Sequence, residues 1–253
     1  MLLNLSHGSL TKNYPVKSWF LIFVRKSTYH RQDHLKKTLT IVFIFLLAVA
    51  NGQTALQIRS IDSLNYLQKV DSLNLIHMES KDIIPEYKLV TLLALSYYPE
   101  LADTRIVFKR SKINTTLNAR PTTFSLIFRS RKKRKYVIRI NKQQKDSVIY
   151  FDHVPFNARI GLLGHEFAHL EDYNNRNFGQ IISRLMAYSN KKSKAQFEKE
   201  IDQLTIKKGL GWQLYDWSDY VLNKSNAYAS YKNFKRMTYL TPEAIRHIII
   251  EGN

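Results

Sequence analysis

The chain has 253 residues, 44% of them hydrophobic and 23% charged. That balance is ordinary for a globular protein and excludes a wholly disordered, collagen-like or polytopic membrane chain. There is no cysteine, which rules out disulfides, iron–sulfur clusters, thiol catalysis and a lipid-bearing N-terminal cysteine, and the net charge of +19 favours anionic partners.

In chain order, residues 1–50 stand apart. They are basic, with Asp33 as their one acid, and they end in an apolar run, Leu39 to Ala50 (LTIVFIFLLAVA), that closes on Ala48-Val49-Ala50. A basic leader, a short apolar core and small residues at a cut point predict a secretory signal peptide cleaved near Ala50. The run is short of the about 20 residues a spanning helix needs. The alternatives are an uncleaved N-terminal anchor, or a true start near Lys36 behind an over-extended gene start. Each leaves residues 51–253 as a single extracytoplasmic domain, periplasmic or secreted.

Residues 55–76 set Leu56, Ile61, Leu64, Leu67, Val70 and Leu73 near helical spacing, which predicts an amphipathic packing helix. Residues 84–97 (IPEYKLVTLLALSY) predict a second, with Pro85 in its first turn. Arg105 to Arg110, Thr122 to Arg129 (TTFSLIFR) and Lys135 to Asn141 (KYVIRIN) are rich in β-branched and aromatic residues and are predicted strands. Between the last two lies Arg129-Ser130-Arg131-Lys132-Lys133-Arg134-Lys135. This basic run is expected as an exposed hairpin tip, and as a patch for an anionic surface such as cell wall or membrane. It has no interleaved aromatic residues to stack on bases, so nucleic acid is not an expected partner.

From residue 156 the periodicity is helical. Helices are predicted at Phe156 to Tyr173, Phe178 to Tyr188, Lys194 to Lys207 (closed by Gly209), Trp212 to Leu222, and from a Thr241 N-cap with Pro242 at N1 to Ile250. Strands early and helices late make the expected class α+β.

The sharpest chemical signal is Gly164-His165-Glu166-Phe167-Ala168-His169, an H-E-x-x-H pattern on a predicted helix. Positions i and i+4 share one helix face, so both imidazoles can reach one metal ion. Glu166 lies about 100° further round, where its carboxylate can meet a metal-bound water without being a ligand. Zinc suits such donors and lowers the pKa of bound water to about 7, with Glu166 as general base. The apolar flanks, Ile160-Gly161-Leu162-Leu163 and Leu170, suit a buried helix. A structural pair of buried histidines is the alternative.

A catalytic zinc needs a third protein ligand. Metzincins continue the motif with glycine at position 172 and histidine at position 175, where this chain has Asp172 and Asn175. His247 is the one later histidine, so a carboxylate is the expected ligand. Glu198 and Asp202, at i and i+4 of a predicted helix, are the candidates. Glu198 would bind the metal and Asp202 would orient a ligand from behind. Glu200 is the rival ligand, and Glu198 as a plain surface acid is the alternative. Asp172 either backs a histidine or is a surface acid. Tyr215, Tyr220, Tyr228 and His247 are candidates for stabilising the oxyanion, with none preferred.

The stretch GLLGHEFAHLEDY, followed by FEKEIDQLTIKKGLGWQL, resembles the gluzincin-type zinc metallopeptidases and is similar to small H-E-x-x-H proteins of bacteria. The resemblance covers about residues 156–215, and H-E-x-x-H is its specific part. It implies a zincin-like scaffold: a small mixed sheet (strands about 105–141) stacked on the motif helix. It also implies an edge strand that pairs with an extended peptide, for which KYVIRIN is the candidate. The expected function is hydrolysis of a peptide or protein substrate with one catalytic zinc on His165, His169 and Glu198. A zinc amidase acting on cell-wall peptides and a non-catalytic basic binding module are the other expectations.

Overall fold

The computed structural model describes residues 56–64, 79–142 and 149–252. The leader predicted over residues 1–50 and most of the helix predicted over 55–76 lie outside them. The described start of that helix, residues 56–62, is not helical.

The sheet has four strands: β1 (Lys81–Asp82), β2 (Arg105–Ser111), β3 (Leu117–Pro121) and β4 (Lys135–Asn141), in the order β1-β2-β4-β3. β1 and β4 both run parallel to β2, while β3 is antiparallel to β4. Alternation explains β4, where Tyr136, Ile138 and Ile140 are buried and Val137 and Arg139 are only half-buried. In β2, Ile106, Val107 and Phe108 are buried in succession, as a strand covered on both faces requires. Helix α1 (Lys88–Leu95) follows a 3₁₀ turn at Pro85–Tyr87, much as residues 84–97 predict.

Three expectations are corrected here. TTFSLIFR is not a strand: Thr123–Phe128 forms helix α2, with Ser125 and Leu126 buried and Phe124, Ile127 and Phe128 exposed. Periodicity cannot separate helix from strand in so short an apolar run. The ladder position beside β4 is taken instead by Leu117–Pro121, whose polar Asn118 and Arg120 hide it from a search for apolar runs. The basic run is therefore not a hairpin tip. It continues from α2 through a 3₁₀ turn at Arg131–Lys133 into β4, and Arg134 is buried. KYVIRIN is not an edge strand either, because β4 is bonded to β2 on one side and β3 on the other. The free edges belong to β1 and β3.

The C-terminal half is helical: α3 (Phe156–Asn174), α4 (Phe178–Met186), α5 (Lys191–Thr205), α6 (Gly211–Asp219), α7 (Ala229–Thr238) and α8 (Pro242–Glu251). The class is α+β, with a small mixed sheet and a helical second half. Thr241 Oγ1 accepts from the Ala244 N–H and Pro242 opens α8, as the cap residues predict. Gly209 ends the α5 segment at φ 96°, a left-handed turn that only glycine enters without strain. Helix α7, rich in polar and basic residues, has little apolar periodicity and was not expected.

Helix α3 is the centre of the molecule and packs against β3, α1, α5 and α6. Its approach to α6 is so close that a Cβ on Gly161 would lie within 2.1 Å of the Gln213 carbonyl oxygen. The Tyr98 hydroxyl, fully buried after α1, donates to the Gly164 carbonyl at 2.7 Å. Residues 57–59 are drawn onto the other side of α6: Gln213 donates to the Ile58 carbonyl, and Arg59 pairs with Asp216.

Candidate metal centre

Helix α3 is buried almost without a break from Ala158 to Leu170. His165 and His169 sit one turn apart on it, their rings 4.8 Å between centroids and nearly perpendicular. Helix α5 crosses this face and brings in Glu198. Glu198 Oε2 is 3.3 Å from His165 Nε2 and 3.2 Å from His169 Nε2. All three side chains are buried.

Each group is held from behind, though not equally. Asp202, one turn after Glu198, accepts from His165 Nδ1 at 2.8 Å through Oδ1 and from the Leu240 N–H at 2.8 Å through Oδ2. The Tyr188 hydroxyl donates to Glu198 Oε1 at 2.9 Å. Glu198 Oε2, although close to both imidazoles, has no directed hydrogen bond, and neither does the buried Nδ1 of His169. The near-equal distances without directed bonds are what donors converging on a shared cation produce. Among the described residues, His165, His169 and Glu198 form a buried group able to hold a metal ion, their ligand atoms lying within 4.8 Å of one another.

Electrostatics follow from burial and proximity. Burial favours neutral His165, but Asp202 and Glu198 outweigh it and push its pKa up to about 10. Burial would raise the Glu198 carboxyl, yet His169 and His165 hold it well below the usual range. Glu166 shares no hydrogen bond with the group. Burial raises its pKa, partly offset by the two histidines. It faces a cavity lined also by Leu162, Leu214, Trp217, Lys235 and Tyr239.

The other candidates lie elsewhere. Glu200 is paired with Arg184 at 2.6 Å and takes no part in the group. Asp172 bonds Arg176 and Arg184 and no histidine. Tyr215 stacks on Trp212, and the Tyr220 hydroxyl donates to the His153 carbonyl. Tyr228 is exposed, and His247 is exposed beside Glu251. None of the four residues considered for the oxyanion lines the cavity. The sequence reading missed Tyr188, Tyr239 and Lys235. The Tyr239 ring lies 5.6 Å from that of His165, and Lys235 Nζ sits 4.0 Å over the Tyr239 ring. No spacing rule ties these residues to an H-E-x-x-H helix, so the sequence held no signal for them.

Compared with protein-family models, with curated proteins and with solved structures, the chain matches none.

Proposed function

We propose that the chain is a zinc-dependent metallopeptidase with a zincin-like scaffold, acting outside the cytoplasm. The observation that carries this is the buried convergence of two imidazoles and one carboxylate, with the free carboxyl of Glu166 next to them on the same helix. Donors about 2.0–2.2 Å from a tetrahedral zinc stand roughly 3.3–3.5 Å apart. The 3.2 and 3.3 Å separations from Glu198 to the two histidines fit that edge length. Two histidines and a glutamate, leaving a fourth position open, are a catalytic rather than a structural donor set.

A zinc ion held by His165, His169 and Glu198 would acidify water and polarise a peptide carbonyl. Glu166 is the proton carrier: its carboxylate takes a proton from the attacking water and delivers it to the departing amine nitrogen. Burial favours the protonated form of Glu166 and so eases the first transfer. Asp202 fixes the His165 tautomer, leaving Nε2 as the ligating nitrogen. Tyr188 occupies Oε1 of Glu198 and leaves Oε2 for the metal. An extended substrate would add to the free edge of β3, since Leu117 at its start lines the cavity beside Glu166.

The test is metal content by mass spectrometry on the full chain, beside His165→Ala, Glu198→Ala and Glu166→Gln, with hydrolysis assayed on an unfolded protein and on cell-wall peptides. About one zinc per chain is expected in the wild type and in Glu166→Gln, and little in the other two. Hydrolysis is expected in the wild type alone. Cleavage that survives Glu166→Gln would overturn the role of the base. Cleavage confined to wall peptides would turn the reading to the amidase. A bound zinc with no hydrolysis of either substrate would leave a structural metal.

A further inference from the structure

One corner of the molecule combines exposed apolar side chains with charge of a single sign. Phe124, Ile127 and Phe128 of α2 are 65%, 55% and 70% exposed. On α4, Phe178, Ile182 and Met186 follow at i, i+4 and i+8, a single helix stripe that is also exposed. The two helices border the same corner. Arg131 Nη1 donates to the Asn175 carbonyl, and Arg134 Nη1 donates to the carbonyls of Tyr173 and Arg176, in the segment that leads into α4.

Arg129, Arg131, Lys132 and Lys133 are exposed immediately after the α2 ring cluster, and Lys191 and Lys192 are exposed shortly after α4. Nothing in these stretches offsets them: residues 104–145 and 173–197 contain no aspartate or glutamate. A soluble anionic polymer would account for the cations but not for phenylalanines held in water. An apolar protein partner would account for the rings but not for so long a run without an acid.

We propose that this corner docks on an anionic lipid bilayer. The guanidinium and ammonium groups meet the headgroups, while Phe124, Ile127 and Phe128 enter the boundary with the acyl chains. Attraction between the basic corner and the surface falls with added salt, whereas ring insertion does not. The site is separate from the metal centre, so His165→Ala should dock as the wild type does.

The chain has no cysteine, so a single label can report on one position. Phe128→Cys in the full chain, carrying an environment-sensitive dye, is mixed with vesicles of phosphatidylglycerol and phosphatidylcholine, or of phosphatidylcholine alone. Arg246→Cys, on exposed α8, is the control. The dye at 128 should brighten and shift to the blue with the anionic vesicles, while the dye at 246 stays unchanged. Adding Arg129→Gln, Lys132→Gln and Lys133→Gln should raise the lipid needed for half-saturation by about tenfold or more. A dye at 128 that stays in water on vesicles that sediment the chain would overturn the proposal, since residues outside this corner would then do the binding. An equal shift on neutral vesicles would overturn it too. So would a dye already blue-shifted without lipid, because another part of the chain would then cover the corner.

Discussion

Asp202 is the residue through which most of the metal centre is aligned. One oxygen fixes the His165 ring and the other fixes the backbone at Leu240, so it joins α3, α5 and the entry to α8. Asp202→Asn keeps the shape but replaces an acceptor with an amide. The expected result is metal affinity lower by about 10–100-fold, read by competition with a chelator. An unchanged affinity would remove Asp202 from the alignment of His165. Tyr188→Phe leaves Glu198 Oε1 without its donor while the ring stays against Phe197. A smaller loss of affinity is expected there, with the fold intact by circular dichroism. His169 differs from His165 in having no protein partner on Nδ1, so the two histidines are not equally held.

At the scale of elements, α3 is positioned by glycines that allow close approach. Gly161 meets the backbone of α6, which cannot yield, because a Cβ would fall 2.1 Å from a carbonyl oxygen. Gly164 meets mainly the tip of the Leu210 side chain, at 2.5 Å, which can rotate away. Gly161→Ala should therefore cost about 3 kcal/mol and Gly164→Ala less, measured by urea unfolding. The reverse order would mean that α6 moves more freely against α3 than these contacts allow. Gly209→Ala should cost about 1–2 kcal/mol through its left-handed φ, without a new clash.

Across the whole molecule, stability carries a pH signature from the far edge of the sheet. Lys81 in β1 is buried, and its Nζ donates to Ser80 Oγ and the Ala102 carbonyl. Burial pulls its pKa down to about 8 against the attraction of Asp103, while the unfolded chain keeps the ordinary 10.5. Between these values the unfolded state holds more protons, so this residue makes stability rise with pH from about 8 to 10.5. Below pH 8 its ammonium group is carried at a cost. The rise should be absent from Lys81→Met when thermal midpoints of the two chains are compared over that range. A parallel pair of curves would mean that the ammonium is satisfied where it lies.

What the sequence by itself determined is what repeats within one element. The i, i+4 spacing put His165 and His169 on one face of α3, and Glu198 and Asp202 on one face of α5. Alternation identified β4, Thr241 and Pro242 marked the start of α8, and Gly209 marked the end of the α5 segment. These follow from backbone geometry over one or two turns, which neighbouring residues set among themselves. Tertiary structure decided the rest. Only the crossing of α5 over α3 brought Glu198, rather than Glu200, to the two histidines, because helix faces meet through packing and not through spacing. Only sheet assembly made Leu117–Pro121 the free edge and closed β4 on both sides. The apolar run at Thr123–Phe128 fits a helix or a strand by itself, and the place beside β4 was already taken. Tyr188 and Tyr239 reach the centre from elements with no fixed distance to the motif, so only the folded chain brings them there.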